Sequence, residues 1–328
     1  MGPSTWKSRG KVALKLAATV VVLAFVGRHV ARTGRDLAER DLWPRLDLSW
    51  LMASVILYIA GLACFGLYFW RIMAASPTPA AWYPAIRAYL ISHLGKYVPG
   101  KAMVVVLRAA LVAPFGARPA TAAFATLYET LVMMAAGGLV AGLGFAFGPG
   151  SAATIPLGSP GGRPIEVPLA ALGLASGLAF LAVTWPTVFP RLAGLARVPL
   201  PGVGPDALPR FSARLWAEGL AWSTAGWVCL GLSQVAVIRG ILPAGLPGTA
   251  WPLAVASVAL ATVAGFVVPI APGGLGVREW VLWTALASAI DRDLAVVAAL
   301  VLRLAWVAGE VVASAVLFAV RPRTGGGG

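Results

Sequence analysis

The sequence is poor in charged residues. Only 12% of its 328 residues are charged, whereas 59% are apolar, and the mean hydropathy is +0.84. A soluble domain carries about 25% charged residues, so a water-exposed globular fold is excluded. Apolar runs of about 20 residues recur along the chain, and a run of that length can cross a bilayer as a helix. The composition therefore predicts an all-α, polytopic membrane protein.

Cysteine and histidine are nearly absent. Cys64 and Cys229 each lie inside an apolar run, and the two histidines, His29 and His93, are far apart in the chain. Two such cysteines provide neither a disulfide framework nor a zinc motif. The sequence therefore predicts no metal and no other cofactor.

The charge that is present is strongly positive, with a net charge of +14. In a soluble protein this excess would indicate nucleic-acid binding. Here Lys and Arg lie mostly in loops and at the ends of apolar runs, which instead indicates membrane topology and attraction to lipid headgroups. We therefore expect a membrane phospholipid or another anionic lipid as the partner, and no nucleic acid.

The apolar runs predict the number of membrane crossings. The interrupted segment 84–113 is predicted to be a re-entrant hairpin or a broken helix, because each half is too short to span. Segment 276–290 is also short, and a second re-entrant element is the alternative there. We expect one transmembrane domain, 1–320, and a flexible Gly-rich tail, 321–328. The eight predicted crossings are 12–27, 50–73, 120–147, 167–186, 214–238, 250–270, 276–290 and 294–319.

The distribution of Lys and Arg predicts the orientation. These residues concentrate in 71–118, in 187–213 and at both termini, whereas 148–166 holds only Arg163. By the positive-inside rule, both termini are cytoplasmic in a multi-pass protein of the cytoplasmic membrane. The segment 28–49 fits this orientation less well, because it is predicted to lie on the non-cytoplasmic side of the membrane yet carries five arginines.

Two familiar motifs are approached but not completed. Residues 95–102, Gly-Lys-Tyr-Val-Pro-Gly-Lys-Ala, lack the Ser or Thr that ends a phosphate-binding Walker loop. Residues 173–177 resemble a serine-protease motif, but no base accompanies the serine. Gly173 and Gly177, like Gly138 and Gly142, are better interpreted as small residues at a helix–helix interface.

Two Pro-Gly interruptions lie in apolar surroundings, in YVPGKAMVVVLR (97–108) and in IAPGGLGVREWVL (270–282). Within a bilayer, interrupted helices persist only where they line a cavity or are buried in protein. Paired interruptions in two halves of a chain favour a transport site built on an inverted repeat. Ordinary Pro-Gly turns are the alternative. The residues at the breaks are Pro99, Gly100, Pro269, Pro272, Gly273, Gly274 and Gly276.

Ionisable side chains lie beside the breaks and inside the apolar runs. A charge at the centre of a span costs about 2.5–3.5 kcal/mol, so a functional or paired role is the default. A break also leaves a helix N-terminus, here near Leu275, whose dipole attracts anions such as a lipid phosphate. The predicted lipid- or anion-binding residues are Lys96, Lys101, Arg108 and Arg278. The predicted charge partners or headgroup ligands are Glu129, Glu279, Glu310 and Arg303; for Arg303 and Glu310, purely structural helix–helix pairs are the alternative.

The stretch APGGLGVRE (271–279) resembles the late signature of the lysylphosphatidylglycerol synthase transmembrane-region family, whose members are also called flippase-like membrane proteins. YVPGKAMVVVLRAAL, with Arg108, and YETL, with Glu129, resemble two earlier family segments. The resemblance extends over most of the chain. Lys101 departs from the family pattern, since many members carry an acidic residue there, and this leaves the substrate open.

The resemblance implies a helical bundle with re-entrant segments that transports lipid. In the multiple peptide resistance factors, this bundle moves aminoacylated phosphatidylglycerol between leaflets, and a separate soluble domain makes that lipid. No such domain lies within these residues, so we expect a transporter rather than an enzyme. A lipid-synthesising enzyme is then a candidate partner. Some relatives accompany glycan or polyprenyl-lipid pathways, so another anionic lipid is also open as cargo.

Two alternative functions follow from the same residues. A membrane-embedded lipid-modifying transferase, or its accessory subunit, would need an acid/base carboxylate, for which Glu129 is the candidate. A scaffold or assembly protein would use the buried charges only for structure.

Overall fold

The computed structural model describes residues 46–97, 102–148, 152–157, 165–195, 208–267 and 276–320, together with the isolated positions 28, 31, 35, 38 and 39. The predicted crossing 12–27 and the predicted tail 321–328 lie outside the described residues. So do Lys101 and six of the break residues, namely Pro99, Gly100, Pro269, Pro272, Gly273 and Gly274.

The described chain is a bundle of helices with one short β-hairpin. In chain order the α-helices are α1 (Leu48–Ala74), α2 (Trp82–Ser92), α3 (Ala102–Val112), α4 (Pro119–Phe147), α5 (Leu169–Thr184), α6 (Phe189–Leu195), α7 (Ala213–Ile241), α8 (Trp251–Val267), α9 (Val277–Leu286) and α10 (Arg292–Ala319). Short 3₁₀ turns occupy His93–Tyr97, Ala113–Phe115 and Gly248–Ala250. The strands are β1 (Thr154–Leu157) and β2 (Ile165–Pro168).

The helical, multi-pass class is confirmed, but the helix lengths change the predicted number of crossings. Among the described residues, five helices are long and apolar enough to cross a membrane: α1, α4, α7, α8 with its preceding turn, and α10. Helix α5 has 16 residues and α9 has 10. At 1.5 Å per residue these helices are about 24 and 15 Å long, short of a hydrocarbon core of about 30 Å. The predicted count of eight crossings is therefore not confirmed among the described residues, and 276–290 fits the alternative of a re-entrant element better than a full crossing.

Within this all-α fold, the described chain also has one short β-hairpin between α4 and α5. There, β1 pairs antiparallel with β2, with Thr154 opposite Pro168 and Leu157 opposite Ile165. The Thr154 hydroxyl donates a hydrogen bond to Glu166 at 2.7 Å. A hairpin this short leaves little signal in a segment dominated by Gly, Pro and Ser.

Helices α1 and α7 run antiparallel along each other. The Asp47 amide donates to the Gly240 carbonyl at 2.9 Å, and the Arg71 guanidinium contacts Glu218 at 2.9 Å. The start of α1 therefore lies beside the end of α7, and the end of α1 lies beside the start of α7. This pair defines two ends of the bundle. We call them the Asp47 end, where α1 begins, and the Arg71 end, where α1 finishes.

Helices α4 and α5 pack through glycines. A Cβ added at Gly142 would lie 2.6 Å from the backbone nitrogen of Leu174, and one added at Gly177 would lie 2.6 Å from the backbone nitrogen of Leu139. Gly138 and Gly173 meet the facing backbone at least as closely. Only glycine permits this approach, so the predicted small-residue interface is confirmed.

Two helical hairpins enter the bundle from opposite ends. The first hairpin, α2 with α3, starts at the Arg71 end and turns back after Tyr97, where the 84–113 interruption was predicted. The second hairpin, α8 with α9, starts at the Asp47 end, beside the end of α4, where a Cβ on Gly144 would lie 3.4 Å from the Pro252 carbonyl. Helix α9 returns toward that end, because only five residues separate it from α10. The described residues next to the two turns, Lys96 and Arg278, lie near each other through their contacts with Tyr58 and Trp306, whose rings are stacked.

Candidate functional site

The described inner ends of the two hairpins contribute to a group of residues drawn from three helices and one 3₁₀ turn. From the first hairpin, Lys96 Nζ donates to Tyr58 Oη of α1 at 3.1 Å. From the second hairpin, the Arg278 guanidinium carbon lies 4.3 Å from the ring centroid of Trp306 on α10. The Tyr58 and Trp306 rings are stacked, with centroids 4.3 Å apart. We call these four residues, with Glu310, the tip cluster.

Glu310 is the buried carboxylate of the tip cluster. Its side chain is 0% exposed, and its Oε1 accepts hydrogen bonds from Tyr58 and Lys96. His93 Nε2 lies 3.8 Å from the same oxygen. The second oxygen, Oε2, is buried and has no hydrogen-bond partner among the described residues. One predicted cation, Lys96, is therefore paired with one predicted carboxylate, Glu310, and this ion pair links the first hairpin to α10.

Arg303 and Glu310 share one face of α10 but pair with different elements. Arg303 forms an ion pair with Glu279 of α9, so α9 and α10 are joined by charge. Glu279 Oε2 also accepts a hydrogen bond from the Gly276 amide at 2.7 Å, where Gly276 has a φ of 85°. Helix α9 begins at Val277, two residues after the predicted start near Leu275. The anion that meets this helix N-terminus is Glu279 itself, so any external anion has to be bound by side chains.

Arg278 is the cation of the tip cluster that is still available to a ligand. It is partly exposed, and in the described part of the chain its guanidinium has neither a carboxylate within 4.0 Å nor a hydrogen-bond acceptor. Contact with Trp306 stabilises the charge without occupying any of its N–H donors. These donors can hold the oxygens of a phosphate or carboxylate group in bidentate geometry.

Trp306 is fixed on its other side by hydrogen bonds. Its indole Nε1 donates to Ser233 Oγ of α7 at 2.9 Å, and Ser233 Oγ lies 2.8 Å from Ser54 Oγ of α1. Sequence reasoning missed Tyr58, Trp306, His93 and Ser233. Trp306 left a usable signal, because it follows Arg303 by three residues and precedes Glu310 by four, which places all three on one helical face.

Arg108 and Glu129 form a separate buried pair. Arg108 Nη1 lies 3.1 Å from Glu129 Oε2, and the two side chains are 2% and 1% exposed. Arg108 Nε donates to Ser92 Oγ at 3.0 Å, and its guanidinium carbon lies 3.9 Å from the Tyr89 ring centroid. Tyr89 also donates to Glu129 at 3.0 Å. In this conformation the guanidinium of Arg108 is engaged by Glu129, Ser92 and Tyr89 and makes no direct contact with the residues of the tip cluster among the described contacts.

Comparison with known proteins identifies the family of this chain. No curated protein matches it. A family model described as "Lysylphosphatidylglycerol synthase TM region" matches residues 12–312, which includes the tip cluster, the Arg303–Glu279 pair and the Arg108–Glu129 pair. The resemblance carried by APGGLGVRE is thus confirmed. The chain belongs to the lysylphosphatidylglycerol synthase transmembrane-region family.

Proposed function

We propose that this protein is a lipid transporter of the flippase type, which moves an anionic or aminoacylated phospholipid, or a related lipid, between membrane leaflets. The observation that carries the proposal is Arg278, a cation inside a membrane-protein bundle with no carboxylate partner among the described residues. A charge left unpaired at such a position is costly, so a binding role is the default. A lipid phosphate matches the donors of the guanidinium.

The charge balance of the surroundings supports an anionic ligand. Three cations, Lys96, Arg278 and Arg303, stand against two carboxylates, Glu279 and Glu310. The described residues around the tip cluster therefore carry an excess of one positive charge. One phosphodiester group would neutralise it.

The helix order supports an inverted repeat. In each half a long helix (α1 or α7) is followed by a hairpin (α2–α3 or α8–α9) and then by a second long helix (α4 or α10). The two leading helices run antiparallel, as the repeats of an inverted pair must. In transporters with this design, interrupted helices meet near the bilayer midplane and form the substrate site between the repeats. We accordingly assign both hairpins as re-entrant, with the tip cluster between them.

Charge at the two ends supports an orientation with the Arg71 end in the cytoplasm. Arg71, Arg118, Arg191, Arg210 and Arg214 lie at that end, and α10 finishes there. The Asp47 end instead carries most of the acidic residues at helix and strand termini, namely Asp47, Glu166, Asp291 and Asp293, alongside Arg239 and Arg292. Under the positive-inside rule the C-terminus is then cytoplasmic.

The transferase alternative gains no support from its candidate base. Glu129 is 1% exposed and is held by Arg108 and Tyr89, so it has no free approach to a lipid headgroup in this conformation. The transporter is therefore the function that the geometry supports best.

The test is a lipid-exchange assay in liposomes that contain purified protein and leaflet-labelled phosphatidylglycerol or phosphatidylcholine. We expect wild-type protein to accelerate exchange of the anionic lipid. Arg278→Ala should reduce that rate by about tenfold or more, since hydrogen bonds to a charged group contribute about 1.5–3 kcal/mol and 1.4 kcal/mol is a factor of ten. Arg278→Lys should retain part of the rate, because it keeps the positive charge but loses the planar guanidinium that can bind a phosphate in bidentate geometry.

Arg239→Ala is the matched control. Arg239 also lies over a tryptophan, with its guanidinium carbon 5.3 Å from the Trp50 ring centroid, but it is exposed at the Asp47 end. This variant should exchange lipid like the wild type. If wild type, Arg278→Ala and empty liposomes all give the same rate for both lipids and under ion gradients, the transporter proposal is wrong.

A further inference from the structure

A second basic site lies at the Arg71 end of the bundle, away from the tip cluster. A groove of about 290 Å³ separates the end of α1 from the start of α7. We call it the Arg71 groove. Its lining residues that can bind an anion or modulate its binding are Arg71, Arg210, Ser212, Arg214 and Glu218.

The arginines of the groove are only partly engaged by protein groups. Glu218 accepts from Arg71 Nε at 2.9 Å, from Arg71 Nη2 at 3.3 Å and from Arg214 Nε at 3.1 Å. Arg210 is exposed, and among the described residues its guanidinium has no hydrogen-bond or ion-pair partner. Three arginines therefore face one carboxylate, which leaves an excess of two positive charges.

The ion pairs with Glu218 also orient the groove. By binding one edge of Arg71 and of Arg214, Glu218 fixes where these two guanidinium groups lie, and their remaining N–H donors stay free for a ligand. Ser212 is the N-cap of α7, and its hydroxyl oxygen accepts from the Leu215 amide at 3.1 Å, so the hydroxyl proton is free to donate. The N-terminal end of the 29-residue helix α7 adds a partial positive charge at the same place.

Tryptophans around this end place the groove at the depth of lipid headgroups. The Arg71 guanidinium carbon lies 5.9 Å from the Trp70 ring, and the Trp185 and Trp216 rings meet edge to face at 5.0 Å. Trp185 is 45% exposed. Tryptophan gathers where the hydrocarbon core gives way to the headgroups. A ligand in the Arg71 groove would therefore be a component of the membrane surface.

We propose that the Arg71 groove binds the phosphate of an anionic phospholipid from the adjoining leaflet. Arg210, Arg214 and the free edge of Arg71 bind the phosphate oxygens, and Ser212 donates a hydrogen bond to them or to the polar headgroup. This site does not depend on the proposed transport function. The Arg71 groove would bind a lipid even if the protein did not transport lipids between leaflets.

The test measures binding of short-chain lipids to purified full-length protein in an uncharged detergent, by native mass spectrometry and by titration. The probes are dihexanoyl phosphatidylglycerol, dihexanoyl phosphatidylcholine and inorganic phosphate. All proteins carry Arg278→Ala, so that the tip cluster does not contribute. In this background we expect phosphatidylglycerol to bind about tenfold or more tightly than phosphatidylcholine, because the positive excess favours a net anionic headgroup.

Two variants and one control decide the outcome. Arg210→Ala removes a side chain with no protein partner in the described part of the chain, so it should fold and should weaken phosphatidylglycerol binding several-fold. Adding Arg214→Ala should bring the loss to about tenfold or more, since charge-assisted contacts are the strongest available here. Arg239→Ala, at the other end of α7, should leave binding unchanged. Unchanged affinity in both groove variants would overturn the proposal, and so would phosphate binding as tight as that of phosphatidylglycerol, which would mark a site for free anions.

Discussion

The guanidinium of Arg278 lies over the ring of Trp306 at 4.3 Å, and the same ring is stacked on Tyr58 at 4.3 Å. The short helix α9 is thereby tied to both α10 and α1. Since the ring attracts the charge of Arg278 but uses none of its N–H donors, the contact holds the cation inside the bundle while leaving it able to bind an anion. This geometry makes Trp306 as important to the proposed site as the cation it supports.

Replacing Trp306 should separate the role of the ring from that of the indole N–H. Trp306→Ala should lower both lipid exchange and stability, the latter by about 3–5 kcal/mol, which is typical for loss of a buried aromatic ring. Trp306→Phe keeps a ring under Arg278 but removes the donor to Ser233, at a cost of about 1 kcal/mol. Exchange rates and thermal unfolding in detergent measure the two effects. If Trp306→Phe is as inactive as Trp306→Ala, ring contact is not the feature that supports Arg278.

The Lys96–Glu310 contact predicts a rescue experiment. Lys96→Met should destabilise the protein by about 3–5 kcal/mol, because it leaves a fully buried carboxylate without its cation. The double variant Lys96→Met, Glu310→Gln removes that uncompensated charge and should regain most of the loss. Chemical unfolding in detergent measures both variants. A double variant no more stable than Lys96→Met alone would show that Lys96 stabilises the first hairpin in another way.

The Arg108–Glu129 pair should be structural rather than part of the transport path. Arg108→Met and Glu129→Gln should each cost about 3–5 kcal/mol, whereas the double variant should cost clearly less than their sum. A double-mutant cycle of unfolding free energies gives the coupling. The folded double variant should still exchange lipid. If it folds but exchanges no lipid, Arg108 belongs with the lipid-binding residues after all.

The α4–α5 interface should tolerate no side chain at its glycines. Gly138→Ala places a methyl group against the backbone of Gly177 and should cost about 1–3 kcal/mol, the usual range for overpacking. Gly248→Ala is the control, because nothing lies within 4 Å of the added Cβ. Melting temperatures in detergent measure the difference. Equal melting temperatures for the two variants would contradict the close backbone contact.

The sequence predicted the parts of the fold that follow from local composition. Four of the long helices, α1, α4, α7 and α10, begin and end within a few residues of the predicted crossings, because a helix that spans lipid must be continuously apolar. The small-residue interface was readable from Gly138, Gly142, Gly173 and Gly177, since their spacing of four is the helical repeat. The first interruption was readable because proline cannot continue a helix; helix α2 ends at Ser92 and α3 begins at Ala102, on either side of it.

The sequence was less informative where length or partner choice decides the outcome. An apolar stretch such as 276–290 has the same composition whether it crosses the membrane or turns back within it. Only the structure shows that its helix, α9, has 10 residues and packs against α8 and α10. The partners of Arg108 and Arg278, which were predicted as one binding group, also differ. Both are arginines beside a break, but Arg108 meets Glu129 and Tyr89, whereas Arg278 meets Trp306.

By itself, the sequence determined that this protein is a helical membrane bundle and which charged residues lie among apolar ones, and it predicted where the helices break. Those properties are local, because hydropathy, helix periodicity and helix-breaking residues act over one or two turns. Only the tertiary structure decided that the two hairpins enter from opposite ends, that Lys96 reaches Glu310, and that Arg278 is left without a carboxylate among the described residues. Contacts between residues some two hundred positions apart depend on how whole helices pack, and no short stretch of sequence encodes that packing.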